Sequence, residues 1–197
     1  MRFTKVSQTA FDEFQLEAGL ILKNFDPTKP DAVSDTDIVC ATTGGVQITC
    51  KPTYTDYGED VDNVPANMLE LKEIDGWDCS IGFTALTVSA ASIKLALGAA
   101  DIKDGKITPR AEKVDSDASD IWWVGDRADG GLVACCLKNA LSTDGLSLKT
   151  TKKGKGQLSC TLTGHVSITA QDTVPMEFYV QEGTAAQEGT AAQEGEE

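Results

Sequence analysis

Apolar and polar side chains alternate along much of this chain, as they do in β-strands that bury one face. The alternation is cleanest over residues 157–169 and recurs over residues 45–55, where Pro52 indicates a sheet edge or a bulge because proline donates no backbone hydrogen bond. Shorter runs of the same kind predict strands at residues 16–25, 77–85, 121–125, 132–141, 146–151 and 174–180. The pattern therefore predicts a mainly β protein.

Turn and cap residues complete the predicted architecture. Asp129-Gly130-Gly131 and the Lys-Gly-Lys-Gly run at 153–156 have the composition of hairpin turns. One segment predicts a helix, with Ser89 as its N-cap and Gly98 at its C-terminal end. We expect two antiparallel sheets packed face to face in a β-sandwich, or a barrel, with one flanking α-helix.

The polar side of the strand over residues 157–169 carries only amide, hydroxyl and imidazole groups. Its members are Gln157, Ser159, Thr161, Thr163, His165, Ser167 and Thr169, and the polar side of residues 45–55 is Gln47, Thr49, Lys51, Thr53 and Thr55. Such a surface suits contact with a neighbouring subunit or the lining of a passage, although threonine is also simply a good strand former. A strand of about 13 residues would span about 40 Å, a length that suits an assembly.

The last residues differ in composition from the rest of the chain. Residues 181–197 repeat Gln-Glu-Gly-Thr-Ala-Ala and contain no aromatic and no basic residue. Such a segment cannot bury a core. We therefore predict one domain over residues 1–180, including an N-terminal arm, followed by a flexible acidic tail.

Charge excludes a class of function. The chain of 197 residues has 17 Lys and Arg against 31 Asp and Glu, which gives a formal net charge of -14. A protein this acidic repels a phosphate backbone, so classical nucleic-acid binding is not expected. No apolar run has the length of a signal peptide or a membrane span, and we expect neither export by a visible signal nor a membrane-spanning segment.

The residues that usually carry metal or nucleophile chemistry are poorly placed for it. The six cysteines form no C-x-x-C pair and are predicted to be buried free thiols, with Cys135 and Cys136 on opposite faces of a strand. His165 is the single histidine, which favours a structural or interface role. We expect no catalytic residues, no metal site and no cofactor, and hence no enzyme.

Two charged loops and a tryptophan pair remain. The acidic run that contains Asp56, Glu59, Asp60 and Asp62 lacks the spacing of an EF-hand, so a solvated or subunit-contacting loop is favoured over a cation site. The basic residues at 152–155 lack a Walker motif and predict a hairpin tip that pairs with an acidic loop of a neighbour. Trp122-Trp123 places one ring on each face of its strand, so one ring needs cover from the helix, a loop or a neighbouring copy.

A series of short motifs in fixed order spans most of residues 16–180. They are residues 43–49 (TGGVQIT), 56–65 (DYGEDVDNVP), 71–77 (LKEIDGW), 107–110 (ITPR), 120–126 (DIWWVGD), 139–142 (NALS), 153–156 (KGKG), 163–165 (TGH) and 174–178 (VPMEF). Together they resemble the major tail proteins, or tail tube proteins, of long-tailed bacteriophages, especially phages of Gram-positive bacteria. The repeated C-terminal tail departs from that family.

The resemblance implies a structural virion protein that is made in the bacterial cytoplasm. In this family six copies of a β-sandwich close into a ring, rings stack into a tube, and inner sheets join into a barrel that double-stranded DNA traverses without specific binding. It also implies a tape-measure protein and tail terminator and tail-tip proteins as partners. A tube whose wall bound DNA would hold the DNA back. The acidic composition of this chain therefore agrees with a passage for DNA.

By analogy with the family, two surfaces are assigned. The loop over residues 54–65 is expected to join stacked rings through Tyr54, Asp56, Tyr57, Glu59, Asp60 and Asp62. The inner barrel is expected to use strands 45–55 and 157–169, with Gln47, Thr49, Gln157, Ser159, Thr161 and Thr163 on its polar face.

Two other functions fit the same pattern. A monomeric β-sandwich that decorates a virion or cell surface would use Trp122 or Trp123 as a stacking platform for a carbohydrate. The inner tube of a contractile injection device would share the tube fold and would need a sheath partner.

Overall fold

The computed structural model describes residues 6–183, which form ten β-strands, one α-helix and four short 3-10 helices. The strands are β1 (Gln15–Leu22), β2 (Thr42–Asp56), β3 (Lys72–Ala85), β4 (Ala100–Lys103), β5 (Lys106–Pro109), β6 (Ser119–Arg127), β7 (Leu132–Ser142), β8 (Ser147–Lys149), β9 (Gln157–Thr163) and β10 (Met176–Gln181). The helices are α1 (Ala90–Leu97) and the 3-10 turns Gln8–Phe11, Pro30–Ala32, Leu69–Leu71 and Asp115–Asp117.

Eight of these strands belong to one antiparallel sheet. Its order is β1-β6-β7-β9-β3-β2, with β10 also paired to β7 and β8 also paired to β9, while β4 and β5 form a separate hairpin. The strand β7 links two parts of the sheet: residues 132–137 pair with β6 and β10, and Leu141 and Ser142 pair with β9. We call β1, β6, β7 and β10 half A, and β2, β3, β8 and β9 half B.

The two halves face each other across a common core. Half A contributes Cys135 and Leu137, and half B contributes Ile81 and Leu162, all fully buried in one apolar cluster. The predicted mainly β fold of packed antiparallel sheets with one flanking helix is therefore confirmed, with the two layers continuous through β7. Within residues 6–183 the strands do not close into a barrel.

The other face of half A is covered by the chain itself. Trp122 packs there with Phe25 and Tyr179, at ring-centroid distances of 5.5 and 5.4 Å. Trp123 points into the common core, and its indole N–H donates to the Ala18 carbonyl at 2.9 Å. The prediction that the two rings lie on opposite faces is confirmed, and a loop and β10 supply the cover for Trp122.

The cysteines follow the same alternation. Cys135 belongs to the common core and Cys136 to the cluster around Trp122, as predicted. All six cysteines are free thiols, and five are buried, whereas Cys50 is half-buried. Burial raises the pKa of Cys135 to about 12, because a thiolate is poorly solvated in the core.

The predicted helix is confirmed with both of its caps. The Ser89 hydroxyl accepts a hydrogen bond from the Ser92 N–H at 3.0 Å, and Gly98 adopts a positive φ of 74° at the C-terminal end. Ala96 is fully buried, and its carbonyl accepts from the Ser142 hydroxyl at 2.8 Å. These contacts hold α1 against the end of β7. Among residues 6–183 no helix has the length and hydropathy needed to cross a bilayer.

The long strand predicted at residues 157–169 is wrong in its second half. β9 ends at Thr163, and Gly164 packs so closely that a Cβ there would lie 2.7 Å from a Leu137 methyl carbon. The chain then leaves the sheet, and Ile168 is 85 % exposed. The apolar and polar alternation continues past Gly164, but within residues 6–183 the segment 165–169 belongs to no strand, and its apolar residues Val166 and Ile168 are exposed.

The hairpin β4–β5 has no counterpart among the predicted strands. Asp104 and Gly105 form its two-residue turn, with positive φ angles of 50° and 76°. Its strands have four residues each and are largely exposed. The sequence therefore shows little of the apolar and polar alternation from which the other strands were predicted.

Candidate assembly surfaces

A polar surface covers the side of half B that faces away from the core. Gln47 on β2 lies opposite Gly82 on β3, which lies opposite Thr161 on β9. Thr49 and Thr163 flank Ser80 in the next row. We call this surface the polar face, and its members are Thr43, Gln47, Thr49, Ser80, Gly82, Thr84, Ser147, Gln157, Ser159, Thr161 and Thr163.

The structure thus brings all six residues assigned to the inner barrel onto one surface. Their role in a barrel stays a prediction. The contribution of β3 was missed, although Ser80, Gly82 and Thr84 alternate with buried residues in the sequence and this period of two could have revealed it.

Hydroxyl, amide and glycine groups make up the polar face, and charges lie at its borders. Lys51 lies opposite Asp78 at one end, and Lys149 lies opposite Gln157 at the other. Thr143 and Thr163 share a hydroxyl hydrogen bond of 3.2 Å beside β9. A surface of this kind offers hydrogen bonds to water or to another chain but holds no cation for a phosphate.

The polar face ends at a long strand with one open edge. β2 has 15 residues, and among residues 6–183 its main ladder is formed with β3 alone. Pro52 lies within this edge strand, next to the register shift between Thr53 and Tyr54, as the sequence predicted for a proline in a strand. Unpaired backbone groups along an edge of this length can pair with a strand of another chain.

The distal parts of β2 and β3 project beyond the rest of the sheet. β9 pairs with β3 only over residues 80–85, whereas β2 and β3 stay paired from Lys51 and Asp78 out to Asp56 and Lys72. We call residues 51–78 the arm. Six paired residues at about 3.4 Å each extend it by about 20 Å.

One side of the arm is apolar and exposed. Pro52 lies opposite Trp77, and Tyr54 lies opposite Ile74. The exposed fractions are 56 % for Tyr54, 48 % for Ile74 and 37 % for Trp77. Because a two-stranded hairpin is only marginally stable on its own, a second layer over this side would stabilise the arm.

The loop at the tip of the arm is held by local hydrogen bonds. The Tyr57 N–H donates to the Leu71 carbonyl at 2.9 Å, and the Asp56 carboxylate accepts from the Gly58 N–H at 3.0 Å. The neighbouring Glu73 carboxylate raises the pKa of Tyr57 through hydrogen bonding and its negative charge. The loop therefore has a defined shape.

The residues assigned to ring stacking lie at the end of β2 and on this loop, and they differ in exposure. Asp56 is half-buried and shapes the turn, whereas the others are exposed: Tyr54, Tyr57, Glu59, Asp60 and Asp62. Their role in stacking stays a prediction.

A buried ion pair joins the end of β6 to the turn between β6 and β7. The Arg127 guanidinium lies 2.9 Å from the Asp129 carboxylate, and both side chains are nearly inaccessible to solvent. Hydrogen bonds from the Gly131 N–H and then the Gly183 N–H, with the Arg127 charge, hold the pKa of Asp129 below its ordinary value. The prediction of a flexible tail concerns mainly residues 184–197, which lie outside the described residues.

The remaining candidate residues are structural. Trp122 and Trp123 are only 9 % and 8 % exposed, so neither ring is available as a carbohydrate platform. His165 lies two residues after β9, where its Nδ1 is 3.3 Å from the Asn139 carbonyl oxygen, and the Asn139 side-chain amide donates to the His165 carbonyl at 3.0 Å. These contacts tie the chain after β9 to β7.

Neither a protein-family model nor a curated protein matches this sequence. Among solved structures, a chain from the virion of a native gene transfer agent particle is similar at a TM-score of 0.38 and 10 % sequence identity. The similarity covers 82 % of this chain and 95 % of that chain. A TM-score of this size does not establish a common fold.

Proposed function

We propose that this chain is a structural virion protein that assembles into stacked hexameric rings, forming a phage tail tube through which double-stranded DNA passes. The observation that carries the proposal is the polar face of half B beside the open edge of β2. The number of copies and the identity of the tube come from the sequence resemblance to tail tube proteins.

The open edge supports assembly through strand pairing. Half B offers β2 at one border and the short strand β8 at the other, and each has a backbone edge for a further strand. Joining copies edge to edge would place their polar faces side by side on one continuous surface. Closure of such a ring would also remove the exposed edges, which otherwise favour uncontrolled aggregation.

The chemistry of the polar face supports the passage of DNA. Serine, threonine and glutamine keep water at the wall, and the net charge of -14 disfavours adhesion of phosphates. We propose a non-catalytic role without cofactors. Tape-measure, tail terminator and tail-tip proteins are the proposed partners, and the virion is the proposed location.

Electron microscopy of the purified full chain tests this proposal. We expect hollow tubes or rings in negative stain, large species in sedimentation velocity, and no retardation of double-stranded DNA in a gel at low salt. A chain that stays monomeric at millimolar concentration, alone and with the other tail proteins, would overturn the proposal. Co-purification of a contractile sheath would instead identify the inner tube of a contractile device.

A further inference from the structure

We infer that the arm of one copy docks on the basic end of half B in the next copy, so that copies stack head to tail. This basic end, which we call the basic loop, comprises residues 146–156 around β8 and the turn before β9. The inference rests on the proposed function, since it needs copies of this chain in contact, and it names the partner surface of the arm.

The two surfaces lie at opposite ends of half B. The arm leaves the sheet beyond Ser80, which pairs with Thr163 at the end of β9. The basic loop leads into the start of β9, where Leu158 pairs with Ala85 at the far end of β3. Contact between two different surfaces at opposite ends repeats from copy to copy in one direction and does not close into a pair.

Their charges are opposite. The arm contains eight acidic residues and two lysines, and the basic loop contains no acidic residue and four lysines, which are Lys149, Lys152, Lys153 and Lys155. Within residues 6–183 none of these four lysines forms an ion pair. Electrostatic potentials of opposite sign on two facing surfaces raise the rate of association. They also favour the correct orientation of the two chains over incorrect ones.

Each surface also has an apolar centre. The arm exposes Tyr54, Ile74 and Trp77, and the basic loop exposes Leu146 and Leu148. Leu148 lies opposite the buried Leu158, so both centres lie on the core side of half B. An apolar centre within a charged rim is the usual anatomy of a protein interface, and exposed ion pairs alone contribute little.

Charge reversal tests the inference directly. The arm variant is E59K/D60K, the loop variant is K152E/K153E, and the matched control K103E/K106E reverses two lysines beside the β4–β5 turn. We expect each of the first two variants to raise the concentration needed for tube formation by roughly tenfold or more, because like charges then face each other. The control variant should assemble like the wild type.

A variant in which the arm and the basic loop again carry opposite charges should recover assembly. The combined variant E59K/D60K/K152E/K153E should form tubes at a concentration close to that of the wild type. A mixture of the arm variant and the loop variant should also form tubes, at a lower total concentration than either variant needs alone. Thermal unfolding of each monomer shows whether a variant has lost its fold, and only folded variants are compared.

The outcomes separate the two proposals. A wild type that forms no assembly overturns the proposed function and this inference together. A wild type that forms tubes, while the loop variant assembles normally or the combined variant fails to recover, overturns this inference alone. If removal of residues 184–197 abolishes the effect of the loop variant, the lysines bind the chain's own acidic tail, and the inference is likewise overturned.

Discussion

Gln47 and Thr161 lie in one row across half B, on either side of Gly82 on the central strand. Because Gly82 has no side chain, the two polar side chains border a shallow groove on the polar face. A Cβ at Gly82 would have its nearest neighbour at 4.0 Å, and the residue is not in the left-handed region, so other side chains fit there.

We predict that Gly82→Arg converts the polar face into a surface that retains DNA. The variant should fold and assemble, since a side chain at this site points away from the core, but its tubes should retard double-stranded DNA in a gel at low salt. Gly82→Ser is the matched control and should leave DNA unretarded. Tubes of the arginine variant that ignore DNA would count against a lumen lined by this face.

We predict that Trp77→Ser impairs assembly and leaves the monomer folded. Trp77 is exposed on the arm and makes no part of the buried core, so the free energy of unfolding should change by less than about 1 kcal/mol. Sedimentation velocity measures assembly, and urea unfolding measures stability. Ile168→Ser, at an exposed site after β9, is the control and should change neither quantity.

We predict that Leu162→Ala destabilises the fold by about 2 to 5 kcal/mol, because it opens a cavity between the two halves. Leu162 is fully buried, whereas Leu69 on the arm is 81 % exposed and serves as the control. Urea unfolding followed by tryptophan fluorescence gives both free energies. Equal losses in Leu162→Ala and Leu69→Ala would contradict the common core described above.

We predict that Asp129 contributes to stability at neutral pH and loses this contribution in acid. Its pKa is lowered in the folded chain, so the stabilisation is complete above the ordinary carboxyl pKa near 4 and disappears as the pH falls through the lower folded value. Asp129→Asn should reduce stability at pH 7 and flatten the fall in stability as the pH drops below about 4. Asp31→Asn, at an exposed site, is the control and should leave the stability at pH 7 unchanged.

We predict different effects from two C-terminal truncations. A chain that ends at Gly183 keeps all of β10 and the residues that follow it against the turn between β6 and β7, so its melting temperature and its assembly should match those of the full chain. A chain that ends at Val180 loses the segment that covers the turn between β6 and β7, and it should melt at a lower temperature. Calorimetry and negative stain compare the two chains, and failure of the first truncation to assemble would give the tail a structural role.

Local alternation was enough to predict much of the fold. It places Cys135 and Cys136, and likewise Trp122 and Trp123, on opposite faces of their strands, because side-chain direction in a strand alternates regardless of the partner strand. The caps Ser89 and Gly98 were also recognisable, since their chemistry acts within one turn of the helix.

Features that depend on distant pairing were not predictable in the same way. The end of β9 at Thr163 depends on how Leu137 packs against Gly164, and the shared role of β7 depends on a second partner strand. For the candidate surfaces, alternation put Gln47 and Thr49 on one side of β2. The rows that join them to β9 through β3, and the projection of the arm, follow from long-range register.

The sharing of β7 between the halves has a mechanical consequence. Residues 132–137 are held by half A and residues 141–142 by half B, so one continuous backbone carries load from either layer to the other. Peeling one layer away would strain the same strand that anchors the other. We therefore expect the domain to unfold in a single step, under force or in denaturant, without an intermediate in which only one half is unfolded.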